Sequence, residues 1–530
     1  MSDHPAEKLA RSEHPAEKLA RSEEGSGIAE EKVATANVED PSSQGRRMQP
    51  PAFILGLTPE KRAELETRLK RKIDARLLPA IILMYIMNYI DRNNIAAARL
   101  AGLEDDLGLT STQFQTAVSI LFVGYLLMQI PSNLFLNKFG KPAIYLPLCM
   151  VLWGIISALT AACTNASGLL ANRFFLGIVE AAYFPGCLYY LSCWYTRKEL
   201  GFRTAVLYSG ALISGAFSGL ISAGVTSGMD GARGLRAWRW LFIIEGSITV
   251  VVALACIIVL PNFPRTTSWL TDEERVLAVW RLQEDIGEDD WVNREEQTFW
   301  KGARMMFADG KTYILLVLLF CIVASGTVTN FFPTVVSTLQ ESSLSGASKK
   351  NNVISLLLTA PPYVLGVIAT YLNATHADKT GERYWHITIP LWVAVVAYII
   401  AATTMKTAPR YLSMMLMVPS VYSGFVVALA WISNTMPRPP AKRAAALAFI
   451  NAVSNCSSIY ASYMYPTSAS PQYTVAMCVN CATAFIAVCA ATVMRIVLVR
   501  LNRRLARGEY VEGAINAAPG EAVSSFRFKV

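Results

Sequence analysis

The stretch WRWLFIIEGSITVVVALACIIVL occupies residues 238–260 and contains two charged residues, Arg239 and Glu245. The hydrocarbon core of a bilayer is about 30 Å thick, so an α-helix that rises about 1.5 Å per residue crosses it with about 20 residues. The stretch is long enough and apolar enough to do this. It therefore predicts a membrane-spanning helix.

Eleven other runs share this length and composition, and together the runs predict an all-α, polytopic membrane protein with twelve transmembrane helices in two six-helix halves. A polar cytosolic loop, 261–311, separates a six-helix bundle at 77–260 from a second bundle at 312–500. The flanking segments 1–76 and 501–530 are predicted to be cytosolic tails. The predicted spans are 77–97, 114–136, 143–163, 168–190, 203–226, 238–260, 312–336, 352–373, 385–405, 411–433, 443–465 and 474–499.

The N-terminal tail contains the sequence HPAEKLARSE twice in tandem, at residues 4–13 and 14–23. Two copies of ten residues cannot bury a core, so a repeat domain is not expected. Because this region is polar and of low complexity, most of residues 1–76 is predicted to be disordered.

The composition separates this chain from nucleic-acid-binding proteins and from enzymes. Hydrophobic residues make up 53% of it and charged residues 16%, and its net charge is +9. The basic residues lie beside apolar runs, as in Lys61–Arg76 and Arg500–Arg507, where membrane-flanking charges are typical. The ten cysteines lie in or beside apolar runs, which favours buried thiols over a metal site. The sequence shows no nucleophile–base pair or phosphate loop, so no catalysis and no cofactor or metal is expected.

The distribution of Lys and Arg in the short loops predicts the orientation of the chain. With the N-terminus inside, the inner loops carry more of these residues than the outer loops, which is the usual bias. Both termini are therefore predicted to be cytoplasmic, in a multi-pass protein of the plasma membrane that acts as a monomer. Asn165 then begins an external glycosylation sequon, although its loop is so short that the membrane would hinder the modification.

The fifth predicted span carries small residues at a spacing of four. Small side chains let helices approach closely within lipid. Two interpretations stay open, static packing and a surface on which the two halves slide. The residues are Gly210, Ser214, Ser218 and Ser222, with Gly215 and Gly219 beside them.

Four ionisable residues fall inside predicted spans, where each charge costs about 2.5–3.5 kcal/mol on insertion scales. Asp91 and Arg92 lie in the first span, and Arg173 and Glu180 lie two helical turns apart in the fourth. Their depths predict that all four meet around one cavity. An arginine fork suits a carboxylate ligand, and neighbouring acids can carry protons. The alternative is that the four residues form two structural ion pairs.

Other buried polar residues have two interpretations each. Glu245 is expected to pair with Arg239. Asn88, Asn330, Asn451 and Asn455 could contact substrate or bond to neighbouring helices.

Several motifs are similar to those of the major facilitator superfamily over about residues 73–500. They are YIDRNNIAAA at 89–98, RFFLGIVEAAYFPG at 173–186, AWRWLFIIEG at 237–246 and PNFPRTTSWLTDEER at 261–275. More narrowly, they resemble the anion:cation symporter group and its fungal allantoate-permease-type branch. The resemblance implies that Arg92 and Arg173 hold a substrate carboxylate and that Asp91 and Glu180 carry protons.

The loop signature of that superfamily occurs twice in weakened form, as NKFGKP at 137–142 and DKTGER at 378–383. The first copy has Asn137 where the signature has Asp, which weakens an ionic latch there. The equivalent positions agree with a doubled six-span architecture. The residues expected to act in gating are Lys138, Gly140, Asp378, Gly381 and Arg383.

The resemblance implies a proton-coupled importer of small organic anions, such as vitamins or allantoate-like compounds. The fifth span has glycines but no proline, which argues against a drug:proton antiporter. Two other functions stay open: an exporter of a fungal metabolite, and a nutrient sensor that binds its ligand without transport.

Overall fold

A computed structural model describes residues 50–139, 141–287, 299–341, 348–436, 440–512, 514 and 526–530. Helices account for nearly all of these residues. Eleven helices in the described part of the chain are long and apolar enough to cross a membrane. In the first half, spans 1 to 6 are Pro59–Leu100, Ser111–Phe139, Pro142–Leu159, Ala166–Glu180 continued by Tyr183–Ser192, Arg197–Gly228 and Ala237–Val259.

The second half repeats this arrangement with more breaks in its helices. Spans 7 to 12 are Gly310–Gly326 continued to Glu341, Ser348–Thr380, Tyr384–Thr403, Thr407–Thr435, Pro440–Asn455 continued by Ser457–Ala461, and Thr474–Ala506. Span 11 is the predicted span that does not form one long helix, because it breaks at Cys456 and ends in a 3₁₀ turn, Ser462–Met464. Shorter helices at Ala52–Leu55, Leu103–Asp106, Asp272–Gly287 and Phe299–Ala308 lie in the connecting segments.

The predicted disorder of residues 1–76 is wrong for its last part, because span 1 begins at Pro59. Leu69 and Ile73 are fully buried in one cluster with Leu277 of the connecting helix Asp272–Gly287. Lys72 also pairs with Glu274 of that helix at 2.6 Å. The basic segment is therefore an amphipathic helix with a buried apolar face. Residues 1–49, with the tandem repeat, lie outside the described residues.

Spans 4 and 7 change backbone geometry near the middle of the bundle. Span 4 breaks after Glu180, and Pro185, five residues later, cannot donate the hydrogen bond that would continue the helix. In span 7, Thr327–Phe331 form a 3₁₀ helix between two α-helices. Such tightened segments inside a helix often mark a hinge.

The small residues of span 5 pack against a helix of the other half. A Cβ atom at Gly219 would lie 2.2 Å from the Thr359 hydroxyl, and one at Gly215 would lie 2.4 Å from the Tyr363 ring. Only glycine permits this approach of spans 5 and 8. The contact joins the two halves, which is compatible with both the packing and the sliding interpretation.

Hydrogen bonds join the halves at the distal end of the bundle, defined as the end where span 1 finishes and span 2 begins. Arg99 donates to the Thr467 hydroxyl at 3.2 Å, and Asn352 donates to the Leu100 carbonyl at 2.8 Å. About two helical turns further along span 2, the Ser119 hydroxyl donates to the Ile459 carbonyl at 3.0 Å. The opposite, proximal end carries the beginning of span 1 and the end of span 12.

Candidate functional site

A cavity of ≈ 120 Å³ lies between the two halves. This is many times the roughly 10–15 Å³ that one water molecule requires. Spans 1, 2, 4 and 5 line it from the first half, and spans 7, 10 and 11 from the second. The polar lining residues include Asn88, Arg92, Asn93, Thr327, Thr329, Asn330, Asn451, Asn455 and Ser458.

Arg92 is the charged residue among the described residues that line this cavity. Its Nε and Nη2 atoms donate to Oε2 of Glu180 at 3.0 and 2.9 Å. Its guanidinium also lies over the rings of Tyr125 and Tyr89, at 4.9 and 5.3 Å from their centroids. Charged hydrogen bonds and aromatic faces together hold the cation in place on the cavity wall.

Glu180 lies behind Arg92 and is fully buried, whereas the Arg92 side chain keeps 12% of its surface exposed. The acid therefore balances the arginine charge from the side away from the cavity. Its second oxygen, Oε1, has no hydrogen bond partner among the residues described.

Arg173 lies close to this pair but not on the wall of the main cavity. Its Nη2 atom donates to the backbone carbonyl of Arg92 at 3.1 Å. Its Nε and Nη1 atoms have no hydrogen bond partner within the described part of the chain. It lines a small adjoining space of ≈ 10 Å³ together with Arg92 and Asn330. The structure thus brings Arg92, Arg173 and Glu180 together, as the sequence predicts.

Asp91 lines neither of these two spaces, and of the four residues Arg92 alone lines the main cavity, so the expectation that all four meet around one cavity is wrong. Its two oxygens accept hydrogen bonds from the hydroxyls of Ser157 and Thr249, each at 2.7 Å. These residues belong to spans 3 and 6. Consecutive helical residues point about 100° apart, so Asp91 and Arg92 share a depth but not a face.

The four predicted asparagines, Asn88, Asn330, Asn451 and Asn455, all line the cavity. Asn88 is buried, and its Nδ2 atom has no partner among the described residues. The Nδ2 atom of Asn455 donates to the Asn451 carbonyl at 2.8 Å, so this side chain is partly engaged within its own helix.

The aromatic part of the lining was not predicted from the sequence. Tyr85, Tyr89, Tyr125, Tyr208 and Tyr422 line the cavity with Phe122, Phe184 and Phe425. For span 1 a signal was present, because residues 85, 88, 89 and 92 recur at the spacing of one helical face. The two polar residues of this face, Asn88 and Arg92, were predicted as site residues, whereas its two tyrosines were not.

Two other predicted sites lie outside the cavity. In the second loop signature, Arg383 pairs with Asp378 at 2.6 Å, and Gly381 has a φ of 71°, which favours glycine. For the first copy, Gly140 and the side chain of Lys138 lie outside the described residues. The exposed Asn165 caps span 4, where its side chain accepts from the Gly168 amide at 2.8 Å.

The expected pair of Glu245 with Arg239 does not form. Arg239 instead binds Asp106 at 3.1 Å and the Ala161 carbonyl at 2.6 Å. Span 6 begins at Ala237, so Arg239 lies at the distal end of the helix, within reach of the loop that contains Asp106.

The family described as Major Facilitator Superfamily matches residues 81–462. An uncharacterized transporter of Schizosaccharomyces pombe is 31% identical over 493 residues, which cover 92% of this chain and 96% of that protein. The major facilitator-type transporter hxnP of Emericella nidulans is 31% identical and covers 83% of this chain and 87% of its own. A putative tartrate transporter of Agrobacterium vitis is 34% identical, over 65% of this chain and 76% of that protein.

Solved structures of transporters share the fold. A bacterial homolog of the human lysosomal transporter Spinster, in an inward-facing and unoccupied conformation, has a TM-score of 0.59 and 17% identity, over 83% of this chain and 97% of that one. A D-xylose–proton symporter has a TM-score of 0.58 and 17% identity, over 77% and 96% of the two chains. These likenesses confirm the predicted fold class.

Proposed function

Since the chain belongs to the Major Facilitator Superfamily of membrane transporters, we propose that it imports a small organic anion together with protons. The single observation that carries this proposal is the position of Arg92. Its guanidinium lies on the wall of the cavity between the halves, and its counter-ion Glu180 is buried behind it at 2.9 Å. A carboxylate in the cavity would meet a fixed, permanently charged fork of donors.

The same geometry supports coupling between anion and proton. Glu180 occupies Arg92 while it is charged, and an anion beside Arg92 would repel that charge. Binding of a proton to Glu180 removes both the competition and the repulsion. Anion and proton therefore favour each other's binding, and such linkage is reciprocal. Arg173 adds a second positive charge next to this pair.

Asp91 is the second proposed proton carrier, and it acts from a different place. It lies on the same helix as Arg92 but between spans 1, 3 and 6, where two hydroxyls hold it. A change in its charge would alter the packing of the helix that carries the substrate-binding arginine. Asp91 thus belongs to the conformational part of the proposed cycle and not to the substrate contact.

The described state supports alternating access. Hydrogen bonds between the halves close the distal end. Release of the substrate is therefore expected toward the proximal end. With the proximal end in the cytosol, as the loop charges predict, this is an inward-facing state. Plasma-membrane location and cytoplasmic termini form part of the proposal.

The substrate class rests on chemistry and on resemblance. The motifs around Asp91 and Glu180 resemble those of the anion:cation symporter group, and the Agrobacterium vitis relative is described as a putative tartrate transporter. Both favour a carboxylate. One monoanion carried with one proton moves no net charge, whereas a second proton adds a drive of about 2.3 kcal/mol per 100 mV.

Uptake by the reconstituted protein tests the proposal. An inward proton gradient should drive accumulation of a labelled carboxylate from a panel that includes tartrate. The variants Asp91→Asn and Glu180→Gln should lose accumulation against a gradient but retain exchange of the anion. The exposed control variants Asp272→Asn and Glu273→Gln should behave like the wild type. Undiminished accumulation in both Asp91→Asn and Glu180→Gln, or export driven by the same gradient, would refute proton-coupled import.

A further inference from the structure

Span 6 contains a buried acid that the proposed mechanism does not use. Glu245 is 1% exposed, and neither of its carboxyl oxygens has a hydrogen bond partner among the described residues. Arg239, the cation expected to neutralise it, is engaged by Asp106. A carboxylate in such a place would carry a full negative charge without a cation beside it.

An unpartnered amide faces this acid. The side chain of Asn94 in span 1 lies beside the Glu245 carboxyl. It is fully buried, and both its oxygen and its nitrogen lack a hydrogen bond partner in the described part of the chain. Buried polar groups nearly always have a hydrogen bond partner. Two neighbouring groups without one therefore indicate that a bound species is shared between them.

Asp91 and Thr249 form a second contact one helical turn away. Asp91 precedes Asn94 by three residues on span 1, and Thr249 follows Glu245 by four residues on span 6. The Thr249 hydroxyl donates to Asp91 at 2.7 Å. We name these four residues the acid ladder. Asp91 is the charged neighbour that acts on Glu245, so the ladder holds two carboxyl groups.

Close packing fixes the ladder in the core of the first half. A Cβ atom at Gly246 would lie 2.7 Å from the Gly154 carbonyl oxygen, so span 3 touches span 6 directly beside Glu245. Span 3 also supplies Ser157, the other donor to Asp91. The acids therefore cannot move apart without a shift of whole helices.

The two carboxyl groups have different surroundings. Both oxygens of Asp91 accept hydrogen bonds from hydroxyl groups, which suits a charged carboxylate. Neither oxygen of Glu245 accepts a hydrogen bond within normal geometry from the described residues, and a buried charge without a partner is very costly, whereas a neutral acid is not. The charged groups that act on Asp91 from span 4 are Arg173 and Glu180.

We propose that the acid ladder is a proton site in the first half, separate from Arg92 and Glu180, and that Glu245 holds its proton in the described state. The bound species is a single proton on a carboxyl oxygen of Glu245, and the amide of Asn94 is the polar group beside it. This inference deepens the proposed function, on which its role in transport rests. The site itself requires no substrate.

Infrared difference spectroscopy on the purified full chain in lipid nanodiscs tests the site. At neutral pH the wild type should show the carbonyl stretch of a protonated carboxylic acid, and Glu245→Gln should lose it. Glutamine has the shape of the neutral acid, so the thermal midpoint should be unchanged or higher. The control Glu104→Gln should keep the band, because Glu104 is ion-paired with Arg99 at 3.0 Å. A band unchanged in Glu245→Gln, or absent from the wild type, overturns the proposal.

A second variant covers the case in which Glu245→Gln does not fold. In Asp91→Asn the negative neighbour is removed, so the band should disappear at a lower pH than in the wild type. An unshifted titration would show that the two carboxyl groups are not coupled and would refute the shared site. If sodium chloride abolishes the band and choline chloride does not, the site binds a metal cation in place of the proton. That result would overturn the proposal.

The proton site and the proposed function fail independently. If the band behaves as described but a proton gradient drives no uptake, the ladder stands and proton-coupled import is wrong. If uptake is proton-driven but Glu245→Gln changes neither the band nor the accumulation of anion, the ladder is wrong and the function stands.

Discussion

The two halves of the molecule contribute different chemistry to the same cavity. From the first half comes the charged lining residue, Arg92, together with the buried ionisable residues around it. The second half contributes amides and hydroxyls, such as Asn330, Asn451 and Ser458. Part of this lining belongs to the 3₁₀ segment Thr327–Phe331, where the backbone is not α-helical.

This difference follows from the cost of burying each kind of group. A buried charge needs a partner at a fixed geometry, since leaving it alone costs several kcal/mol. Rigid helices meet that need, as the bonds of Arg92 and Asp91 show. An amide or hydroxyl can exchange one partner for another at about 1 kcal/mol. The second half can therefore change shape around a substrate with less penalty.

The largest expected effect comes from removal of the cavity arginine. Arg92→Gln leaves Glu180 buried without its partner, which should lower the free energy of unfolding by about 3–5 kcal/mol. Carboxylate binding should weaken by about 100-fold or more. Thermal unfolding and ligand-induced stabilisation measure these effects. The double variant Arg92→Gln/Glu180→Gln should regain most of the stability but not the binding.

Arg236→Gln is the control for that experiment, because Arg236 is largely exposed and its nearest acid oxygen is 3.5 Å away. Its loss should change stability by less than about 1 kcal/mol. If the two arginine variants destabilise the protein equally, or if Arg92→Gln still binds carboxylates, charge in the first half does not organise the site.

A smaller effect is expected where the halves meet. Gly219→Ala forces a Cβ atom against Thr359 and should cost about 1–3 kcal/mol through overpacking. Gly224→Ala on the same helix meets nothing within 4 Å and should be neutral or stabilising. A fall in transport rate well beyond the loss of folded protein favours the sliding interpretation. If the transport rate and the amount of folded protein fall by the same factor, static packing is favoured.

A still weaker effect is expected from a substitution in the second half. Asn451→Ala removes one neutral amide from the cavity, which should reduce substrate affinity by roughly 2- to 10-fold, or about 0.5–1.5 kcal/mol. Proton coupling should stay intact, because no charge is altered. Asn373→Ala serves as the control, since that amide bonds to the His386 carbonyl outside the cavity. A loss of coupling in Asn451→Ala would contradict the division between the halves.

The smallest expected effect lies at the proximal end of the second half. Burial raises the pKa of Asp309, but the hydrogen bond from Lys442 and the charge of Lys311 outweigh it, so this pKa lies below its ordinary value. The resulting stabilisation, about 1 kcal/mol, is present above about pH 4 and is lost as the pH falls through the lowered pKa.

Asp309→Asn should therefore be less stable than the wild type at neutral pH, and the difference should vanish in acid. Denaturation at several pH values measures this. A difference that persists below the lowered pKa would show that the pair with Lys442, at 2.7 Å, contributes no charge-dependent stability.

Particular residues show what the sequence predicts and where it stops. The cost of charge in lipid made Arg92, Arg173 and Glu180 visible, and they do lie together. Asp91 was misplaced because depth along a helix does not give direction around it. The aromatic lining was missed because tyrosines and phenylalanines are common in membrane spans. Glu245 was misassigned because Arg239 is near in sequence but bonds to a distal loop.

The tail of the chain gives a similar lesson. The predicted cytosolic segment 501–530 begins inside a helix that continues to Ala506. Phe528, twenty-two residues later, is buried, and Asn502 bonds to both its backbone nitrogen and its oxygen at 2.9 Å. Such a contact depends on tertiary structure, and a pattern of polar residues along the sequence cannot reveal it.

In the proposed mechanism, anion binding and proton binding are linked through Arg92 and Glu180. The purified protein is titrated in a calorimeter with a carboxylate that it binds, and the titration is repeated in buffers of different ionisation enthalpy. The dependence of the binding enthalpy on the buffer gives the number of protons taken up per anion bound. Roughly one proton should be taken up per anion bound, and Glu180→Gln should abolish this uptake while binding persists. Tight binding of the carboxylate by the wild type without proton uptake would contradict it.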